Sequence, residues 1–178
     1  MATTSPHSLA AGRAYQQQLL ALLGQDDPAE VAQATASEVQ SLLKEAGLNL
    51  STRPAPGEWS VLELVGHLVD AEIVMSGRYR WAISHDEPPL LGYDQDLWVA
   101  RLGHNEAQPD ELLPVFSALR AANLRLWRRS TAEDRERVAI HSERGPESYG
   151  LMFRMLAGHD RFHLNQMRET LRLLREPR

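Results

Sequence analysis

Three histidines have the side-chain type and the spacing that a metal site needs. His159 and His163 stand four residues apart in the segment HDRFH, so on a helix their side chains lie on the same face, one turn apart. His67 stands between Leu64 and Leu68, inside the apolar pattern of a second helical segment. Three neutral imidazoles from two helices could hold one divalent cation and leave coordination positions open for water or substrate, as catalytic sites do.

A second interpretation of these histidines stays open on the sequence alone. The HxxxH spacing arises by chance in many chains that contain seven histidines, and a single histidine on an apolar face is usually a core residue that bonds to a neighbour. However, all three interrupt apolar stripes, where each unsatisfied polar group would cost about 1–3 kcal/mol. Either a shared cation or local hydrogen bonds must satisfy them. Asp160 and Arg161 fall off this inward face and are expected in solvent.

Polar residues near the three histidines are candidates for catalysis. Asp70 and Arg78 continue the stripe of His67 along the same helix. Asp70 could accept a hydrogen bond from a ligand imidazole or act as a general base, and Arg78 could bind a carboxylate or another anion of a substrate. The alternative for both is an ion pair at the helix surface or between helices. Gln166, one turn after His163, could bond a ligand water or a neighbouring helix.

Two aromatic residues stand in a long connection between helical segments, over residues 87–108. A connection of this length indicates either a function or a crossover between helices that are not adjacent. Tyr93 and Trp98 could cover the mouth of a bundle and line a substrate pocket, or they could simply pack on the end of the bundle. We place Tyr93, Trp98 and Gln166 among the predicted substrate-binding residues.

The elements that carry these residues are helices. Apolar residues recur at helical spacing in segments that proline and glycine clusters separate, and Ser60 with Glu63 forms a capping box before the helix of His67. We find no strand alternation, and we predict a loop over residues 140–147. The fold is predicted to be an all-α four-helix bundle with a long crossover connection and a short extra N-terminal helix. Helices are expected at residues 13–23, 29–46, 60–85, 94–101, 109–129 and 148–174.

Composition limits the fold and the chemistry. The chain of 178 residues fits one domain, which we place at residues 13–178, after a flexible arm at residues 1–12. The lack of cysteine excludes disulfides, thiolate ligands and a cysteine nucleophile. A net charge of −5 argues against a nucleic-acid partner. No segment has the pattern of a secretory signal or a membrane span, so we expect no membrane association and a cytoplasmic location.

Several short motifs, in their order and spacing, resemble the DinB-like superfamily, and in particular its YfiT-like branch of metal-dependent enzymes. The resemblance covers about residues 35–171 of the chain. The motifs that carry it are PGEWSV at residues 56–61, HLVD at 67–70, Arg78, PP at 88–89 with the following Tyr93, Asp94 and Trp98, and HDRFHL at 159–164.

This resemblance implies a four-helix bundle in which His67, His159 and His163 hold a divalent metal, with zinc or nickel as the ion. It implies an enzyme that acts on a small molecule, as a hydrolase or as a thiol S-transferase with a bacterial low-molecular-weight thiol as cosubstrate. Members of this family are often homodimers, which the sequence neither shows nor contradicts. Because the chain has no cysteine, the sulfur nucleophile of a transferase would have to come with that cosubstrate. The alternative is a stress-associated bundle protein that binds a metal or a small ligand without turnover.

Overall fold

The computed structural model describes the backbone of residues 6–176 and the side chains of residues 10–176, so residues 1–5 of the expected arm lie outside the described residues. None of the described helices is both long and apolar enough to cross a bilayer. Single turns of 3₁₀ helix lie at Gly47–Asn49 and His104–Glu106. The described elements are the helices α1 (Pro6–Leu23), α2 (Pro28–Ala46), α3 (Val61–Ser84), α4 (Gln95–Arg101), α5 (Pro109–Arg129), α6 (Ala132–Glu136) and α7 (Tyr149–Arg175), and the strands β1 (Pro89–Leu90), β2 (Val138–His141) and β3 (Gly145–Ser148).

Four of these helices form the bundle that the sequence predicts. The helices α5 and α7 each pack against both α2 and α3, so they occupy opposite corners, and α1 packs against α7 from outside. The long connection that contains β1 and α4 joins α3 to α5, and these two helices are neighbours rather than distant partners. The connections that cross the bundle are instead those from α2 to α3 and from α5 to α7. The mainly helical fold is confirmed.

The start of α3 has the capping box that its sequence predicts. The Ser60 hydroxyl accepts a hydrogen bond from the main-chain N–H of Glu63 (3.1 Å), and the Glu63 carboxylate accepts one from the main-chain N–H of Ser60 (2.9 Å). Arg53 forms an ion pair with the same carboxylate (2.5 Å). These contacts satisfy free N–H groups at the first turn, and they fix where the helix that carries His67 begins.

The N-terminal helix is longer than the sequence pattern indicates. It begins at Pro6 rather than at residue 13, so residues 6–12 are helical where we predicted part of a flexible arm. Close packing explains why a helix forms here. A Cβ on Gly158 of α7 would lie only 2.0 Å from the main-chain oxygen of Leu19, so glycine at this position lets α1 lie directly on α7. Tertiary packing of this kind stabilises helices beyond their intrinsic propensity.

A three-stranded sheet that the sequence pattern did not reveal packs beside α3 and α7. The strands β2 and β3 form an antiparallel hairpin, and β1 pairs with β2 in parallel. The hairpin begins at Val138 and ends at Ser148, so it includes residues 140–147, where we predicted a loop, and that prediction was wrong. Strands of two to four residues are too short to show a period of two in the sequence. The sheet buries Ala139 and His141.

One buried ionic network contacts all four bundle helices. Arg120 of α5 donates to Glu72 of α3 (3.0 Å), to both carboxylate oxygens of Asp160 of α7 (2.5 and 3.1 Å) and to the main-chain oxygen of Ala32 of α2 (2.8 Å). The hydroxyl of Thr35 on α2 also donates to Asp160 (2.8 Å). Burial alone would lower the pKa of Arg120, but Asp160 and Glu72 outweigh it and raise that pKa. The guanidinium therefore stays charged and joins the helices.

Asp160 and Arg161 are not in solvent, contrary to our expectation. Asp160 is fully buried, and Arg161 is partly buried and donates to the main-chain oxygens of Leu22 and Leu23 at the end of α1 (2.9 and 3.0 Å). The expectation considered only the face of α7 that carries the histidines. The helices α1 and α2 cover other faces of α7, which makes α7 buried over most of its circumference.

Replacing Arg120 should leave two buried carboxylates without their counter-charge. We expect Arg120→Met to lower the free energy of unfolding by about 3–5 kcal/mol, measured by urea denaturation that is followed by far-UV circular dichroism. The control Arg125→Met removes an exposed arginine from the same helix and should change this free energy by less than about 0.5 kcal/mol. Equal effects of the two substitutions would contradict a stabilising role of the network.

Candidate metal centre

The three predicted histidines converge on one point. Nε2 of His159 lies 3.0 Å from Nε2 of His67 and 3.1 Å from Nε2 of His163, and one ligand atom from each residue lies within 4.8 Å of the others. Metal–nitrogen bonds of about 2.0–2.1 Å at angles between octahedral and tetrahedral would separate two ligand nitrogens by about 2.8–3.4 Å. The two measured separations fall in this range, so the geometry suits a single cation.

Two packed helices place these rings. His159 and His163 lie one turn apart on α7, and His67 lies on α3, which packs directly against α7. All three residues are buried. The ring centroids lie between 4.4 and 5.0 Å from one another. The sequence-based expectation that the three imidazoles face the core and come together is therefore met in the structure.

A hydrogen bond to Gln166 defines the proton position on one ring. Nδ1 of His163 lies 3.0 Å from Oε1 of Gln166, and an amide oxygen can only accept, so Nδ1 carries the proton and Nε2 keeps its lone pair. This bond directs Nε2 of His163 toward the other two rings. The predicted contact of Gln166 with substrate stays a prediction.

Burial keeps the three imidazoles neutral. Burial, with His163 and His104 nearby, lowers the pKa of His67 to about 3. Burial lowers the pKa of His163 to about 4, although its bond to Gln166 acts in the opposite direction. Burial and the two neighbouring rings move the pKa of His159 well below its usual value. At neutral pH each ring therefore carries one proton rather than two, and no imidazolium charge opposes a bound cation.

Hydrogen bonds do not give every ring nitrogen of the three histidines a partner. A proton on Nε2 of His159 can form one good hydrogen bond, yet two other Nε2 atoms lie at hydrogen-bond distance from it. Within the described residues, Nδ1 of His67 and Nδ1 of His159 are buried and have no hydrogen-bond partner. A cation between the rings would engage all three Nε2 lone pairs at once. The donor set and its geometry thus fit a metal better than a network of core hydrogen bonds.

Trp59 covers the cluster, and our sequence-based site did not include it. Its ring lies 5.1 Å from the ring of His67 and stacks on that of His163 with centroids 6.2 Å apart. The residue precedes the N-cap of α3, where the chain enters the bundle. The only sequence signal for it was its place in the PGEWSV motif. An indole at this point excludes water from one side of the imidazoles.

Asp70 bonds a histidine outside the cluster. Its Oδ2 lies 2.6 Å from Nε2 of His104, so the predicted hydrogen bond to a ligand imidazole is not formed. A Cβ on Gly66 would lie 2.3 Å from Cγ of His104, which means that this glycine makes room for the contact. Burial raises the pKa of Asp70, and the bond with His104 opposes the rise. Asp70 holds the turn of His104 against α3, and its role as a general base stays a prediction.

A cavity of about 660 Å³ opens beside the cluster, and His159 forms part of its wall. Two of the predicted site residues, Arg78 and Tyr93, also line it. Trp98 is not among its lining residues but packs on the ring of Tyr93, with centroids 4.6 Å apart. The sequence-based site omitted His141, which the hairpin brings into the wall. The cavity thus adjoins the imidazoles and has the size of a small-molecule site.

The sequence profile of the DinB superfamily matches residues 29–167, which include all three histidines. This chain belongs to the DinB superfamily. The resemblance to that family is confirmed. YfiT from Bacillus subtilis, described as "a probable metal-dependent hydrolase with an unusual four-helix bundle topology", is 17% identical in sequence and superimposes with a TM-score of 0.75 over 98% of this chain and 91% of its own. That likeness supports the fold of this DinB-superfamily chain.

Three similar proteins bear the name "Putative metal-dependent hydrolase". One from Oceanobacillus iheyensis is 27% identical over 128 residues, which are 68% of this chain and 70% of that protein. A second from the same organism is 30% identical over 116 residues, or 65% of this chain and 66% of that protein. A third, from Bacillus cereus strain B4264, is 26% identical over 114 residues, or 64% of this chain and 65% of that protein.

The lowered pKa values imply a pH dependence of the metal-free protein. In the unfolded chain a histidine has a pKa of about 6.5, whereas the folded protein lowers the pKa of His163 to about 4. Between these values the unfolded state binds more protons, so stability is lost as the pH falls below about 6.5, by about 2 kcal/mol for this imidazole near pH 5. We expect His163→Gln to reduce this acid-induced loss in urea denaturation with a chelator present.

The matched control for this measurement is His85→Gln, which changes an exposed histidine. It should leave the loss of stability between pH 7 and about pH 5 unchanged. If His163→Gln loses as much stability over this range as the wild type, the buried imidazole does not carry the dependence.

Proposed function

We propose that this chain is a divalent-metal-dependent enzyme that acts on a small molecule, with His67, His159 and His163 as the metal ligands. The convergence of three buried Nε2 atoms beside a cavity carries the proposal. The names of the relatives, which refer to metal-dependent hydrolases, support it. Imidazole ligands suit zinc and nickel, the two ions we propose.

The residues around the cluster have distinct tasks in this proposal. A divalent ion held by the three imidazoles would supply Lewis-acid polarisation of an oxygen or sulfur group. Gln166 keeps Nε2 of His163 available as a ligand atom. Trp59 excludes water from one side of the rings. The hydrogen bond between Asp70 of α3 and His104 holds the 3₁₀ turn that contains His104 against α3.

The cavity gives the reason to propose turnover rather than storage. A structural metal site is closed by its protein ligands, whereas a catalytic site keeps a position open. Three imidazoles leave such a position, and His159 belongs both to the cluster and to the cavity wall. A small molecule in the cavity can therefore approach the cluster, with Tyr93 in the cavity wall and Trp98 packed against the ring of Tyr93.

The reaction class that we propose is hydrolysis or thiol S-transfer. The chain has no cysteine, so a transferred sulfur would enter with a low-molecular-weight thiol that occupies the cavity together with the electrophile. Hydrolysis would need only water in the same position. Both reactions use the same ligand set, and their dependence on an added thiol distinguishes them.

Metal content tests the ligand assignment. We expect untagged protein to bind about one zinc or nickel ion per chain, and a chelator to lower its melting temperature because a linked ligand is lost. His163→Ala should lose most of the metal, since one of three ligands is removed. Metal content is measured by inductively coupled plasma mass spectrometry. The control His85→Ala removes an exposed histidine and should keep the metal. Stoichiometric metal in His163→Ala would show that the ligand assignment is wrong.

Turnover tests the reaction class. We expect the metal-loaded protein either to hydrolyse a p-nitrophenyl ester without thiol, or to conjugate chlorodinitrobenzene only when glutathione is present. His163→Ala should lower the observed rate by about a hundredfold or more, because the metal is lost with its ligand, and His85→Ala should not change it. A metal-loaded protein that is inactive in both assays would favour the alternative of a binding protein without turnover.

A further inference from the structure

Arg78 of α3 is a buried arginine in the cavity wall that has no carboxylate partner. The residue is 5% exposed. One guanidinium nitrogen donates to the main-chain oxygen of Leu91 (2.5 Å) and another contacts the sulfur of Met75 (3.7 Å). Among the described residues it forms no ion pair, unlike Arg120, which pairs with two carboxylates. Because a buried charge is costly without a counter-charge, an anion is expected beside it.

His141 of β2 adds an unpartnered donor to the same cavity wall. Its Nδ1 accepts a hydrogen bond from the main-chain N–H of Glu143 (3.1 Å), so the proton of the neutral ring lies on Nε2. This Nε2 is buried and has no hydrogen-bond partner among the described residues. Burial, with Arg144 and Arg78 nearby, lowers the pKa of His141 to about 4. The ring thus stays a neutral N–H donor at pH 7.

The nearby charged groups do not form an ion pair with Arg78. Glu147 is near enough to oppose the effect of burial on the pKa of Arg78, but its carboxylate bonds Arg144 through two contacts (2.5 and 3.0 Å). The three acidic residues of the wall, Asp94, Asp96 and Glu143, are exposed, so solvent and salt screen them. Much of the remaining wall is apolar and includes Leu19, Ala71, Val74, Met152, Met155 and Leu156.

We propose that the ligand of this cavity carries an anionic oxygen group that is bound by the guanidinium of Arg78 and by the Nε2–H of His141. A carboxylate or a phosphate has this chemistry, and both match the planar donors of arginine. The rest of the ligand is apolar and lies against the methionine and leucine side chains, with His159 within its reach in the same cavity. The anion site itself does not depend on the proposed function. Only the identification of this ligand as the substrate of the enzyme rests on that function.

Calorimetric titration of chelator-treated protein tests the anion site without the metal. The probes are hexanoate, hexyl phosphate and hexan-1-ol, which share one apolar chain and differ in their polar group. We expect the wild type to bind hexanoate or hexyl phosphate, and to bind hexan-1-ol about tenfold or more weakly, because a charge-assisted hydrogen bond is lost. The tighter of the two anions identifies the group that the site prefers.

Variants from two different elements connect the affinity to the proposed donors. Arg78→Met should weaken binding of the preferred anion by about tenfold or more, and His141→Phe should weaken it severalfold while keeping a ring in place. The control Arg125→Met removes an exposed arginine from α5 and should bind like the wild type. Because Arg78 forms no ion pair, its replacement by methionine removes a buried charge without leaving a carboxylate unpaired, and it should not lower the melting temperature without ligand.

The proposal is overturned if the wild type binds neither anion, if hexan-1-ol binds as tightly as they do, or if both Arg78→Met and His141→Phe bind like the wild type. Metal content separates this result from the proposed function. If Arg78→Met loses anion binding but still binds the metal after reloading, the anion site is separate from the metal site. This result supports the proposal. A wild type that binds the anion but no metal would leave the anion site standing and contradict the metal-dependent enzyme.

Discussion

A single buried guanidinium determines how the four bundle helices meet. Arg120 on α5 donates to Glu72 on α3, to Asp160 on α7 and to the main chain of α2. The five donors of arginine have a fixed planar arrangement, so the bonds set α3 and α7 in one mutual register. His159 directly precedes Asp160 in the chain. The register that satisfies the arginine is therefore also the register that brings the histidines of α7 to His67 of α3.

The same network influences the electrostatics of the cluster. It holds two carboxylates against one guanidinium, and burial raises the pKa of Asp160 while Arg120 opposes that rise. Of the charged groups in this network, Arg120 acts on His159, where it adds to burial and to the two neighbouring rings in lowering the pKa of that imidazole. In a poorly solvated core such a charge is weakly screened, so the network helps to keep this ligand neutral.

Sequence patterns predict the bundle and the three histidines because both signals are local. Helical spacing of apolar residues and the HxxxH motif each describe one face of one helix. The partners of Asp70 and Asp160 depend on contacts with other elements, and no local pattern contains them. Glycines inside helices were a usable signal that we did not exploit, since Gly66 and Gly158 both mark places where another element approaches closely. The hairpin that carries His141 was too short to leave a pattern.

Burial lowers the pKa of arginine and of imidazole alike, but only the imidazole becomes neutral at pH 7, and the cavity uses this difference. A buried imidazole becomes neutral, which is what a metal ligand requires, and this holds for His67, His159 and His163. Burial also lowers the pKa of Arg78, yet a guanidinium does not lose its proton in a protein. One wall of the cavity can therefore offer lone pairs to a cation while another keeps a positive charge for an anion. A small molecule that satisfies both walls must carry its charge at one end and its reacting group at the other.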